Sequence, residues 1–326
     1  VIEKIDHGVT IIATGAEEYK PDEYLYGRDP RVLTQLELEE EIVKKNPDIV
    51  NCDNLVMIQC VGCRNDERPY CSRVCCNEAI KNALKLKEMK PEMNIYVLYR
   101  DIRTYGFYEE YYEEARRKGI IFLHYDLEDK PKVRQERRGS QLLLRVQVKD
   151  KVLGEDIAID ADILVLSVAM ASSPDVRELA MLYKVPVNQD GFFLEAHVKL
   201  RPVDFATDGV FVCGLAHAPK SLEESIAQAK AAASRATTIL VKDAIIGEGI
   251  VAFVDEALCS GCGVCEVLCP YGAIAVNRDK GVSAVNEALC KGCGTCCAAC
   301  PSGAVQQRGF TRKEISVMLD AALTGV

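Results

Sequence analysis

Apolar and polar residues alternate along this chain in short blocks, and the spacing of those blocks predicts its elements. Leu55–Gln59, Ile95–Tyr99, Ile120–His124, Leu142–Val148 and Ile163–Ser167 are compact apolar runs of strand length, rich in β-branched residues. Ser72–Lys90 and Tyr108–Lys118 carry helical spacing. Strand, helix, strand, helix, strand in one stretch predicts a βαβαβ unit and therefore a parallel, doubly wound sheet. Two outlying segments predict edges of a second domain. Gly8–Gly15 is an apolar strand that stops at a Thr-Gly turn, and Val210–Cys213 is a strand that runs through a glycine turn into an Ala-rich helix. The small residues over Ala227–Ala233 let that helix pack closely, with its N-terminus toward an anionic or polar ligand. The tail Thr311–Val326 has helical periodicity with an N-cap Thr and Glu three residues on, and reads as a packing or docking helix.

Composition narrows the function class. The 326 residues suggest two or three domains. A net charge of −9 offers no basic groove for phosphates, which argues against nucleic acid. No run of eighteen apolar residues appears and the first residues lack a secretory pattern, so the protein is read as soluble and cytoplasmic, with no membrane span. The chain opens on Val1 and runs almost at once into the strand Gly8–Gly15. This leads us to expect something before it: a removed segment, another subunit, or the product of a split gene.

Cysteine carries the chemistry. Of sixteen, nine fall between residues 259 and 300 and five between 60 and 76. Such clustering points to metal in a reducing compartment rather than to a disulfide scaffold. Residues 259–270 read C-S-G-C-G-V-C-E-V-L-C-P and residues 290–301 read C-K-G-C-G-T-C-C-A-A-C-P. Both have the ferredoxin spacing, in which three cysteines wrap one cubane and the fourth serves the other. That assigns Cys259, Cys262, Cys265 and Cys300 to one 4Fe-4S cluster, and Cys290, Cys293, Cys296 and Cys269 to a second. Zinc sites use cysteine pairs set much further apart. Cys297 reads as a packing residue. Short hairpins are expected around Ala273–Val276 and Val282–Val285.

In a dinucleotide-binding domain the first strand leads into a glycine-rich loop that cradles pyrophosphate at a helix N-terminus. Here the strand Leu55–Gln59 leads into C-V-G-C-R and then Y-C-S-R-V-C-C. Thiols stand where the phosphate loop belongs. Cys60, Cys71, Cys75 and Cys76 supply four thiolates for a third cluster, the helix N-terminus favouring its negative charge. Cys63 is either an alternative ligand or a bystander. The basic stretch Lys130–Gly139 reads as a solvated rim.

Several segments together carry a family resemblance: the A-T-G turn at Ala13–Gly15, L-T-Q-L-E-L-E at Leu33–Glu39, the Cys60–Cys76 run, and T-D-G-V-F-V-C-G-L-A-H-A-P-K at Thr207–Lys220, followed by the double ferredoxin motif. The chain resembles the C-terminal two-thirds of the A subunit of heterodisulfide reductase. The resemblance implies an α/β fold: a thioredoxin-reductase-like two-domain flavoprotein core, Rossmann-like in character, followed by an α+β 2×4Fe-4S ferredoxin domain. It divides the chain into 1–50 as part of an FAD-binding domain, 51–160 as an NAD(P)-like Rossmann domain carrying a cluster, 161–245 as the remainder of the FAD domain, 246–310 as the ferredoxin domain and 311–326 as a docking helix. It implies three 4Fe-4S clusters and FAD, with Thr14 and Gly15 approaching the pyrophosphate and Gly214, Ala216, Pro219 and Lys220 lining the ribityl and flavin side. Lys81, on the cysteine-bearing helix, would stabilise reduced flavin near N5, or else is an ordinary solvated lysine.

The activity implied is that of an oxidoreductase component that bifurcates electron pairs between ferredoxin and a disulfide or other acceptor. Its partners would be the disulfide-reducing and electron-donating subunits of such a complex, ferredoxin, and a polypeptide supplying the ADP-binding half of the FAD site, since no G-x-G-x-x-G grips it here. Two other readings compete: a flavin-free wiring component, and an NAD(P)H-dependent flavin reductase.

Overall fold

A computed structural model describes residues 5–139, 141–151, 154–244 and 249–324. Its centre is a five-stranded parallel sheet in the order Val32–Thr34, Ile163–Val168, Asn54–Val61, Asn94–Tyr99, Ile121–His124. The two middle strands, N-L-V-M-I-Q-C-V and I-L-V-L-S-V, are buried almost throughout, as a sheet covered on both faces requires. Helices Gln35–Val43, Cys75–Met89 and Glu109–Arg117 cover one face, where Leu38, Ile80, Ala83 and Ala115 meet Leu55, Met57, Ile95 and Val165.

The other face is covered by an antiparallel meander of Lys132–Arg138, Gln141–Lys149 and Asp156–Ala161. Here Leu144, Val146 and Val148 press on Val56, Ile58, Leu98, Leu164 and Leu166. The strand expected over Leu142–Val148 therefore exists, but in this meander and not in the parallel sheet. Its strict alternation is the mark of a strand with one wet face: Arg145, on the outer side, pairs with Asp160 and Glu136. The sheet also takes in Val32–Thr34 and Ile163–Val168, which lie outside the 51–160 span expected for this domain. Three residues of strand at Val32–Thr34 are too few for periodicity to reveal.

A second unit is built on Thr10–Ile12 paired parallel to Val210–Val212. The long helix Leu222–Leu240 rests on it through Ala232 and Ala236, which pack with Val203, Phe211 and Cys213. Ala16–Glu18 and Met170–Ser172 pair antiparallel where the chain crosses between the units.

The C-terminal unit is a small pseudo-symmetric fold. Ala252–Val254 pairs with Val305–Gln307, Ile274–Asn277 pairs with Val282–Val285, and the short helices Val264–Leu268 and Thr295–Ala299 follow the two cysteine loops. The final helix, Arg312–Thr324, opens on a Thr311–Glu314 capping pair as expected and buries none of its described residues. No helix among the described residues is long and apolar enough to cross a membrane.

Candidate functional site

The central strand ends in a strained loop. Cys60, Arg64 and Arg73 all hold positive φ of 56° to 62°, a conformation costing a non-glycine residue on the order of 1–2 kcal/mol. The expected helix start at Ser72 is delayed to Cys75 by this left-handed turn at Arg73. The loop brings its thiols together in adjacent pairs. Cys60 and Cys63 are both buried, against Ala169 and Tyr19. The Cys63 thiol and then the Arg64 guanidinium hold Cys60 down to about 6, while Cys63 is pushed up. Arg64 Nη1 lies 3.7 Å from Cys60 Sγ. Cys75 and Cys76 repeat the pattern: hydrogen bonding from Cys75 lowers Cys76, and Cys75 itself is raised. Cys71 is half-buried and accepts from the Arg73 amide at 3.3 Å. In each pair one thiol is thus lowered by its neighbour and the other raised.

Three features suit an anionic cluster at this loop. The helix Cys75–Met89 has no side-chain cap, whereas Gln35–Val43 and Leu222–Leu240 both carry complete capping boxes. Its first amides are therefore left for another acceptor. Gln59, directly before Cys60, is fully buried with both ends of its amide unpartnered, and Asn77 Oδ1, directly after Cys76, is likewise buried without a partner. Among the described residues no three His, Cys, Asp or Glu side chains gather closely enough for a single ion. A cubane asks for a wider frame, because each thiolate takes a different iron.

In the C-terminal unit Cys269, Cys290, Cys293 and Cys296 line one small cavity, closed over by Ala252, Ile274 and Val285. Backbone amides aim at the sulfurs: Ala252 N at Cys290, Ala273 N at Cys269, both 3.3 Å, and Ser283 N at Cys259, 3.4 Å. Amides of Ser283 and Gly261 lower the Cys259 thiol, which feels the charge of Cys300. Cys300 is held near 7 although burial opposes it, because the amides of Val305, Ala304 and Ser302 face its sulfur. Cys269, the fourth cysteine of the first motif, thus lines a cavity with the first three of the second, and Cys300 lies near enough to Cys259 to act on its charge. Cys297 packs among them without lining the cavity.

The residues expected around a flavin divide. Thr14 is exposed and Gly15 turns at a φ of 77°. Pro219 lines a cleft of about 610 Å³ together with Cys71, Tyr70, Arg73, Tyr105 and Phe192. Arg73, which lines the cleft, donates to Glu224 Oε1 at 2.5 Å and to the Pro219 carbonyl at 3.3 Å.

Lys220 and Ala216, by contrast, are buried and face inward. The Lys220 ammonium donates to Gly214 O at 2.7 Å, Ala218 O at 2.9 Å and His217 Nδ1 at 3.2 Å. Gln228 also donates to His217 Nδ1, at 3.2 Å, which leaves Nε2 as the protonated nitrogen, in contact with the Glu195 carboxylate. Burial holds His217 near 4 and Lys220 near 8. The Gly214 amide goes to Gln228 Oε1 at 2.8 Å. This network, with His217, Glu195 and Gln228, has no signature in local sequence. At the N-terminus of Leu222–Leu240, the expected ligand-facing end, Ser221 and Glu224 form a capping box that takes up their own two amides. Lys81 lies apart, in a separate groove with Asn77, Glu78 and Tyr108, its ammonium 2.5 Å from Glu39 Oε1.

Comparison with known proteins decides the family. The A subunit of an H(2):CoB-CoM heterodisulfide,ferredoxin reductase from Methanothermobacter thermautotrophicus is 40% identical over 336 residues, covering 98% of this chain and 50% of that protein. The chain belongs to the family of heterodisulfide reductase A subunits. The iron-sulfur A subunit of the CoB–CoM heterodisulfide reductase of Methanocaldococcus jannaschii is 39% identical, covering 83% of this chain and 43% of its own. In Methanosarcina acetivorans the A subunit of a ferredoxin:CoB-CoM heterodisulfide reductase is 34% identical over 99% of this chain and 44% of its own. The chain thus spans half or somewhat less of these relatives, not the two-thirds the motifs suggested. Residues 258–304 match the 4Fe-4S dicluster domain family. Thioredoxin reductase from T. acidophilum superposes on 72% of this chain and 66% of its own, at 13% identity and a TM-score of 0.48.

Proposed function

We propose that this heterodisulfide reductase homologue is the flavin and iron–sulfur electron-transfer part of a heterodisulfide-reductase-like complex. Cys60, Cys71, Cys75 and Cys76 would hold one 4Fe-4S cluster, with Cys63 against Cys60 as its reserve. Cys259, Cys262, Cys265 and Cys300 would hold a second, and Cys290, Cys293, Cys296 and Cys269 a third. The observation that carries the reading is the cleft shared by Cys71 and Pro219, which sets a cluster thiol beside the segment expected to flank FAD. Bound there, the flavin would exchange electrons in pairs and the clusters singly, the division of labour that bifurcation or confurcation between ferredoxin and a disulfide or other acceptor requires.

The chain's own residues prepare that site. Arg73 holds the cysteine loop to Glu224 and Pro219, fixing the width of the cleft. Tyr70 and Phe192, in edge-to-face contact with centroids 5.5 Å apart, wall one side. Lys220 fixes the Gly214–Pro219 turn from beneath. Lys81, in its own groove, would act on a flavin only if the ring reached the outer face of Cys75–Met89. Partners would include disulfide-reducing and electron-donating subunits, ferredoxin, and whatever supplies the ADP-binding half of the FAD site.

Iron, sulfide and flavin determined on one anaerobic preparation test the proposal. Three clusters give about twelve iron and twelve sulfide per chain, with flavin in addition. Clusters without flavin would leave a wiring component. That second reading has one observation in its favour: Gly214 and Lys220 spend their donors internally.

A further inference from the structure

The two lobes of the dicluster unit repeat at 31 residues, and the places where the repeat breaks show how the unit is seated. Position 260 in the first motif is Ser; its counterpart in the second is Lys291. The Lys291 ammonium pairs with Asp208, in the turn that leads into Val210–Cys213 of the core. Lys291 also lines the cavity of Cys269, Cys290, Cys293 and Cys296. A second contact lies alongside. Lys184 ends the helix Val176–Tyr183 in a left-handed conformation and accepts from Thr207 Oγ1 at 3.1 Å through its carbonyl. Its ammonium lies directly over Gly272, where a Cβ would collide with it. The counterpart of Gly272 is Gly303, and there the covering cation is Arg312 of the C-terminal helix. Gly272 lies between Tyr271 and Ala273, which line the same cavity as Lys291, so both contacts to the core fall around that cavity, one from each repeat. Away from it Cys262 and Val267 are exposed, although Cys293 is exposed as well.

We propose that Asp208 is a positioning residue: through Lys291 it seats the second-motif lobe on the core. The cluster of Cys290, Cys293, Cys296 and Cys269 is then the inner relay, and that of Cys259, Cys262, Cys265 and Cys300 the outer port, facing an external one-electron carrier. This rests on the cluster assignment above. Asp208 touches neither sulfur nor iron; it acts by holding Lys291 and hence the orientation of the lobe.

The test uses the full chain, with Asp208→Lys, Lys291→Asp and the double exchange of the two. Hydrogen exchange reads the seating without requiring loaded clusters. Each single variant is expected to speed exchange about fivefold in both partner segments, around 207–213 and around 290–294, and the double exchange to restore it. Acceleration confined to the mutated segment, or no restoration in the double variant, overturns the latch. In cluster-loaded protein, a soluble dysprosium chelate should shorten the spin relaxation of one dicluster signal several-fold more than the other, and Asp208→Lys should remove that difference. Two dicluster signals relaxed equally in the unaltered chain overturn the inner and outer assignment. Absence of any cluster signal would instead refute the proposed cofactors, while the exchange result still decides the latch.

Discussion

The ammonium of Lys220 donates to the carbonyl of Gly214 at 2.7 Å. With Ala218 O and His217 Nδ1 it has three acceptors for its three protons. The turn after Val210–Val212 is thus held from inside by one buried charge. Replacing Lys220 with Met leaves the Gly214 and Ala218 carbonyls without this donor, while His217 Nδ1 keeps Gln228, and each buried orphan costs on the order of 1–3 kcal/mol. The expected outcome is a clear fall in the urea midpoint of the full chain. Burial depresses Lys220 from its ordinary value to about 8. Between roughly pH 8 and pH 10.5 the unfolded chain keeps a proton that the native chain has shed, so this group's contribution to stability rises with pH across that window. The stability gap between the unaltered chain and Lys220→Met should widen from pH 8 to pH 10. A gap that narrows would show that the native ammonium keeps its proton.

The cysteines can be sorted by iron content. Cys293→Ser and Cys262→Ser should each remove about four irons from the purified chain, and Cys75→Ser about four more from a different site. Cys297→Ser should remove none, because Cys297 packs beside the cavity without lining it. Cys63→Ser separates its two readings: retention of about four irons marks a bystander, and their loss marks a ligand.

What is legible in the sequence is local. The two ferredoxin motifs place four cysteines within a dozen residues each, so spacing alone carries the proposed cross-assignment. The strands Asn54–Val61 and Ile163–Val168 declare themselves because burial on both faces makes them continuously apolar. What escapes depends on distant partners. Glu195, His217 and Lys220 meet because the chain returns over Phe193 and Phe205, whose packing leaves no periodic trace. The inward turn of Lys220 is hidden for a related reason, since a lysine near a glycine turn looks the same in sequence whether it faces solvent or three inward acceptors. The meander is hidden too, because Leu142–Val148 shows its alternation but not its neighbours.

Gln59 offers a test that compares the chain with and without its clusters. Its buried amide has no partner, and replacing such a group by an apolar one of similar shape removes a penalty of about 1–3 kcal/mol. Gln59→Leu should therefore raise the denaturation midpoint of the cluster-free chain. If the amide donates to a sulfur when the Cys60–Cys76 site is loaded, the same substitution should bring no gain, or a loss, in the loaded chain. Equal gains in both forms would show that Gln59 plays no part in holding the cluster.

Two matched glycines test the pseudo-symmetry of the dicluster unit. Gly261 and Gly292 occupy equivalent places in the two motifs, at φ of 65° and 60°. A Cβ on Gly261 would strike the carbonyl of Gly281, and one on Gly292 the carbonyl of Ile250. Both are backbone atoms, which cannot swing aside as a side chain does. An alanine at either place adds left-handed strain of about 1 kcal/mol to overpacking of roughly 1–3 kcal/mol. Gly309 is the control: its φ is 80°, yet a Cβ there meets nothing within 4 Å. Gly309→Ala should cost only the strain and keep full iron content. Gly261→Ala and Gly292→Ala should each lose iron from the loop they alter, the loss following the motif in which the substitution lies. Equal tolerance of all three substitutions would mean that the cysteine loops are not held by backbone contact, and that the close approach of Gly261 and Gly292 to those carbonyls does not shape the sites.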